Sequence, residues 1–256
     1  MTHEPPPPTA VPQYADFDFE LDNNAQRLPL VLCLDNSRSM EGRPIQALND
    51  ALREWTRELH DDVNLSYSVE VAVITFGDQS VTAYRGAEPL YPGMNLSPFV
   101  PAHAFTPPTL AANGVTLMTE AVELAMHIVA ARKTELRKLG LQYYRPQICL
   151  VTDGLPTDGT GHYTTAWQRI VPVLAEEQRA RRFRLYAIGV GGITERGQAV
   201  LSAFAPTFNA QLQGFPFREL LQMMSASAAA EQKGEGEEAF EKIFHQFRTQ
   251  RPAWEA

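Results

Sequence analysis

Asp35, Ser37 and Ser39 occupy alternate positions in Asp35-Asn36-Ser37-Arg38-Ser39, directly after the apolar run Leu30-Val31-Leu32-Cys33-Leu34. A loop curling over a strand end can turn such alternate side chains inward, so three oxygens face one point. Hard oxygen donors of this kind suit magnesium, manganese or calcium rather than zinc. A second acid, Asp153, closes a second apolar run and is followed by Gly154. Thr116 ends Asn113-Gly114-Val115-Thr116, immediately before a long helical pattern. Alone, its hydroxyl reads as an N-cap; beside the two acids it reads as a further neutral ligand. Two carboxylates close together repel, and burial makes that worse. A divalent cation between them removes the conflict. Serine and threonine hydroxyls are weak ligands, so magnesium in this set would keep waters and at least one exchangeable position. An anion such as a partner's Asp or Glu is drawn to that position. The plain alternative is that these residues are strand-end caps and turns.

Positioning them requires a sheet. Five apolar residues in a row read as a strand buried on both faces. Pro44 then suits a helix's first turn, and Ile45, Leu48, Leu52, Trp55 and Leu59 recur at helical steps. Asp61-Asp62-Val63-Asn64 breaks that helix. Residues 68–76 read as a second strand, and Gly77-Asp78 turns the chain into a third over 80–84. So short a turn makes the third strand antiparallel and places it at a sheet edge. Residues 86–114 carry many prolines and no period, and a loop of that length is usually functional. A helix over 117–139, a strand over 147–152, a strand over 183–190 and helices over 199–204 and 215–224 follow. The alternation predicts an α/β fold, a mainly parallel sheet covered by helices on both faces. Asp35 and Asp153 then converge at neighbouring strand ends, where open α/β sheets bind ligands.

The remaining features are read as background. Residues 1–27 form a Pro-rich, acidic arm, in which Tyr14, Phe17, Phe19 and Leu21 alternate with Asp16, Asp18 and Glu20. This is either a disordered tail, or an added edge strand or docking segment. Residues 28–229 form the domain, and 230–256 a linker and short helix. The stripe Phe240, Ile243, Phe244 and Phe247 either packs back on the domain or docks a partner. Arg179, Arg181, Arg182 and Arg184 read as a solvated face, Gly189-x-Gly191 as a turn, and His60, His103, His127 and His162 show no ligand spacing. Cys33 and Cys149 read as buried core thiols. The 256 residues carry a formal charge of −8, which argues against nucleic acid as a partner. With two cysteines, no run long enough for a membrane span and no cationic-apolar leader, a soluble cytoplasmic protein is expected.

Asp35-Asn36-Ser37-Arg38-Ser39, Thr116 and Val151-Thr152-Asp153-Gly154 resemble, in order and approximate spacing, the three parts of the metal-ion-dependent adhesion site of von Willebrand factor A (VWA) domains. Gly42-Arg43-Pro44-Ile45 and Asp153-Gly154-Leu155-Pro156-Thr157-Asp158 are similar to the bacterial tellurium-resistance-associated group of these domains. The resemblance implies a Rossmann-like fold with a six-stranded sheet and one antiparallel edge strand. It also implies magnesium (or manganese or calcium) held by Asp35, Ser37, Ser39, Thr116 and Asp153. The implied role is non-catalytic capture of a protein partner's acidic side chain. The implied setting is a stress-response or defence system with Ser/Thr kinases and PP2C-type phosphatases. Arg38 and Val115 depart from the family, which commonly has Gly at both. A competing expectation is a magnesium-dependent phosphatase or hydrolase with Asp35 as nucleophile. Ser37 stands where haloacid-dehalogenase-type phosphatases usually carry a second Asp, and no general acid or base is evident.

Overall fold

Four strands are buried along their whole length: β1 (Leu28–Leu34), β2 (Val69–Thr75), β6 (Gln147–Thr152) and β7 (Arg184–Gly189). Their side chains alternate between two separate cores. Leu28, Leu30, Leu32 and Leu34 face one, and Val31 and Cys33 the other. Burial on both faces is what a parallel sheet between helical layers demands. The computed structural model describes residues 25–94 and 96–249, so expectations for the arm at Tyr14–Leu21 lie outside the described residues.

The first core is covered by α1 (Arg43–Asp61), α2 (Val63–Ser68), α6 (Phe217–Gln232) and α7 (Glu237–Thr249). The second lies under α3 (Met118–Lys138), α4 (Val171–Arg179) and α5 (Glu195–Phe204). Three short strands complete the sheet's outer parts: β3 (Thr82–Arg85), β4 (Glu88–Pro89) and β8 (Asn209–Gln211). The order is β4-β3-β2-β1-β6-β7-β8, and the two-residue β5 (Val100–Pro101) also pairs with β2. Neighbours from β2 through β1, β6 and β7 to β8 run parallel, whereas β3, β4 and β5 pair antiparallel at one side. The α/β three-layer fold expected from the alternation is the fold observed.

Some particulars differ. Among the described residues the sheet has eight strands rather than six, because the Pro-rich loop makes two-residue pairings that carry no periodicity. The third strand is therefore not the outermost, since β4 lies beyond it. The break at Asp61-Asp62 restarts as α2, with Asp62 accepting from the backbone N–H groups of Asn64 and Leu65, and β2 begins only at Val69. Arg184 is not on a solvated face. It is 1% exposed, lies 3.4 Å from the Phe240 ring centroid and pairs with Glu231 at 2.8 Å and Glu237 at 3.1 Å.

These contacts settle the apolar stripe of α7, which packs on the domain. Phe240, Phe244 and Phe247 are buried in the first core, and the Phe244 ring meets Tyr186 at 5.8 Å and Phe208 at 5.6 Å. Glu237 in its first turn is also reached by Arg145 at 3.2 Å. A separate ion cluster anchors the start of β1 on the other face. Glu70 receives Arg132 through Nε at 2.8 Å and Nη2 at 2.6 Å, with Arg27 Nε at 3.3 Å, all three buried.

Removing the Phe244 ring leaves a cavity, so Phe244→Ala should destabilise the chain by about 3–5 kcal/mol in denaturant unfolding. An unchanged midpoint would mean that α7 is not part of the cooperative unit.

Candidate functional site

The strand order reverses at β1: the chain moves from β1 to β2 on one side and returns to β6 on the other. The carboxyl ends of β1 and β6 therefore flank the crevice where such sheets hold ligands. Asp35 follows β1 and Asp153 follows β6, and parallel register places Leu34 beside Val151. The backbone N–H of Asp35 donates to the Val151 carbonyl at 2.9 Å. Sequence neighbours of the two acids are thus neighbours in space.

Five oxygens-bearing residues from three segments meet here. Ser39 Oγ donates to Asp153 Oδ1 at 2.7 Å, across a separation of 114 residues, and lies 3.1 Å from Ser37 Oγ. Asp35 is 1% exposed; its Oδ1 accepts from the Ser37 backbone N–H at 2.8 Å and its Oδ2 from Thr152 Oγ1 at 2.6 Å. Ser37 and Thr116 are buried, Asp153 is half-buried and Ser39 is exposed, so the cluster opens to solvent on the Ser39 side. Thr116 is no N-cap: α3 is capped at Leu117 without a side-chain bond. The Thr116 hydroxyl instead lies 3.5 Å from the point a Cβ on Gly154 would occupy, beside the Asp153 turn.

The segment bearing Thr116 is fastened by backbone contacts. The Asn113 N–H donates to the Asn36 carbonyl at 2.8 Å, and the Arg38 N–H to the Gly114 carbonyl at 3.3 Å. Asn49 exchanges two 2.8 Å bonds with the backbone of Leu110, and Asn36 Nδ2 donates to the Ala111 carbonyl. The β2–β3 turn supports both loops from below. Its Gly77 packs so close to Asn36 that a Cβ would sit 2.4 Å from the Asn36 carbonyl oxygen. Gly114, at φ +70°, likewise leaves no room for a Cβ against Asp78.

Sequence reasoning missed two supporting hydroxyls. Thr152 holds Asp35, and Thr157 Oγ1 accepts from the Thr116 N–H at 2.9 Å while its own N–H donates to the Thr116 carbonyl. The signal for Thr152 was present as a hydroxyl closing an otherwise apolar strand. His162 sits on an exposed loop beside Thr160, and the thiols of Cys33 and Cys149 are buried, with burial pushing both up.

Burial, then the nearby Asp153, pushes the Asp35 carboxyl up to about 6, although Ser37 and Thr152 pull the other way. Burial also raises Asp153, against the Ser39 hydrogen bond. The protein alone thus holds two acids under electrostatic stress. Among the described residues no three His, Cys, Asp or Glu side chains gather as a metal group, so any cation here would rest on two carboxylates and three hydroxyls. That donor set suits a hard divalent ion and is too weakly charged to trap one permanently.

No protein-family model and no curated protein sequence matches the chain. Among solved structures it is similar to the pilus adhesin SpaC from Lactobacillus rhamnosus GG in its open conformation. That match has a TM-score of 0.57 and 14% identity over 82% of this chain and 30% of that one. It is also similar to the human COPII-coat protein Sec24c, with a TM-score of 0.53 and 11% identity over 82% of this chain and 33% of that one. The chain spans about a third of the length of either. Both likenesses establish a shared fold and nothing further.

Because the Asp35 carboxylate is disfavoured by its surroundings, Asp35→Asn should raise the thermal midpoint of the chain in chelator at pH 7.5; a lower midpoint would mean that its hydrogen bonds outweigh its burial. Gly77→Ala forces the two loops apart and should cost about 1–3 kcal/mol in denaturant unfolding.

Proposed function

We propose that this chain is a metal-dependent protein-binding module of VWA type, which captures an acidic side chain of a partner through a divalent cation. The observation that carries the reading is the 2.7 Å bond from Ser39 to Asp153, with Asp35, Ser37 and Thr116 gathered around it. Asp35, Ser37, Ser39, Thr116 and Asp153 would hold magnesium, or manganese or calcium. The bound ion would offset the repulsion between the two acids and offer an outside carboxylate a place to bind.

The chain's own residues set the terms of that capture. Thr152 and the Ser37 N–H fix Asp35 in one orientation. The Asn36, Asn49 and Gly77 contacts hold the Thr116 loop against it. The exposed Ser39 leaves the entrance on one side. The fold is shared with a pilus adhesin and a COPII-coat protein, which is in keeping with a binding role. We infer further that the module acts as an adaptor or scaffold in a bacterial stress-response or tellurium-resistance-type system, beside Ser/Thr kinase and PP2C-type phosphatase components. This setting rests on the sequence resemblance alone. A cytoplasmic location accords with it; among the described residues no helix is long and apolar enough to cross a membrane.

The hydrolase reading fits the geometry less well. A nucleophile must reach its substrate, whereas Asp35 is 1% exposed; a small cation needs only the lone pairs that the Ser37 and Thr152 bonds leave over. We therefore assign no catalytic role to it.

Mg2+ should raise the melting temperature of the wild-type chain, with no rise for Asp153→Ala or Ser37→Ala, and both variants should stay folded because the site lies at the sheet's rim. Equal responses in all three chains would place any metal effect elsewhere. Phosphatase turnover that requires magnesium and disappears in Asp35→Asn would reverse the assignment in favour of the hydrolase.

A further inference from the structure

The end of the sheet opposite Asp35 and Asp153 has an excess of positive charge. There α3 and α4 finish beside the starts of β1, β6 and β7, and each acid on this side is already taken by arginine. Glu70 holds Arg27 and Arg132, Glu135 holds Arg132, Glu176 holds Arg179 and Glu177 holds Arg182. Glu231 pairs with Arg184, and Glu237 is divided among Arg145, Arg181 and Arg184. The other acids at this end, Asp61, Asp62, Glu235 and Glu238, belong to the layer of α1, α2, α6 and α7 on the opposite face. Lys133, Arg137 and Lys138 of α3 are left over: among the described residues no carboxylate lies within ion-pair distance of them. The α3 dipole answers about half a charge there, well short of these three. Arg137 lies 5.4 Å from the Tyr143 ring centroid, and Lys133 Nζ donates to the Arg182 carbonyl at 3.2 Å. Burial, then the charge of Arg137, holds the Lys133 ammonium below the usual lysine range.

The chain enters the domain at this patch. The Arg27 N–H donates to the Gln142 carbonyl and the Tyr144 N–H to the Arg27 carbonyl, so Arg27 bridges to Tyr143, whose ring carries Arg137. Residues 1–24 hold Glu4, Asp16, Asp18, Glu20 and Asp22 and no Lys or Arg. On the outer face of α3, His127, Ala130, Ala131 and Thr134 line an open cleft, with Glu135 and Lys138 at its lower end. An extended segment puts Phe17, Phe19 and Leu21 on one side and the alternating acids on the other. From Ala25 back to Phe17 such a segment spans about 26 Å, and the cleft from Lys138 to His127 is only about 17 Å long. We propose that the arm docks on its own domain, with Phe17, Phe19 and Leu21 in the α3 cleft and Asp18, Glu20 and Asp22 against Lys133, Arg137 and Lys138. The proposal is independent of the metal-dependent reading, because this surface lies at the other end of the strands.

Disulfide trapping in the full chain tests it, since Cys33 and Cys149 are buried and do not compete. Phe19→Cys is combined either with Ala131→Cys in the cleft or with Glu235→Cys, an exposed position at the same end on the opposite layer. Oxidised glutathione supplies the oxidant, at low protein concentration. Bonding within one chain should be about tenfold faster or more to Ala131→Cys than to Glu235→Cys. Arg137→Glu with Lys138→Glu, both exposed positions, should slow the Ala131→Cys reaction about threefold or more. Adding Glu20→Lys and Asp22→Lys should restore it, which damage to α3 would not allow. Equal rates at the two positions, a rate unmoved by charge reversal, or no recovery in the swapped chain would overturn the proposal. Bonds formed mainly between chains would also overturn it, by giving the cleft to the arm of a second copy.

Discussion

The structure turns on the placement of two like charges. Parallel pairing of β1 with β6 brings Asp35 and Asp153 to adjacent strand ends, and nothing in the backbone can then separate them. Each acid is given a hydroxyl of its own, Thr152 for Asp35 and Ser39 for Asp153, yet burial still works against both charges. The loops around them are organised to keep that unfavourable pair in place. Asn36, Gly77, Asn113 and Gly114 interlock through backbone contacts too close for ordinary side chains. A fold that carries such a cost at one end needs a secure foundation at the other. The buried arginine clusters around Glu70 and Glu237 supply part of it, tying strand starts to α3 and α7.

Much of this was legible in the sequence, and for identifiable reasons. Strands buried on both faces announce themselves as mostly apolar runs, so β1, β2, β6 and β7 were readable, as was the meeting of the β1 and β6 ends. The spacing of Asp35, Ser37 and Ser39 carried its own chemistry, and the helical pattern after Thr116 fixed where that residue would stand. What escaped was either short or dependent on distant partners. The pairings of β4 and β5 involve two residues each, too few for alternation to register. The neutral look of Arg184 among other arginines hid its role, because the residues that bury it, Phe240 and Glu231, are far along the chain. Thr157 was hidden for the same reason, since a hydroxyl declares no partner until the fold supplies one, and Thr152 showed its place at a strand end but not its bond to Asp35. The five residues that the resemblance names lie together in space; that they hold a metal ion is a proposal.

The long Pro-rich loop has a further consequence. From Phe105 to Gly114 it is bonded, rung by rung, to side chains and backbone of the domain: His60 to the Phe105 carbonyl, Asn49 to Leu110, Asn36 to Ala111 and Asn113. Its freedom was surrendered when the chain folded rather than at the moment of encounter. A partner captured here, as proposed, would meet a preformed mould and owe little ordering entropy for the protein's side of the contact. Association at this end would then be close to rigid docking, its speed governed by diffusion and charge steering rather than by a slow rearrangement.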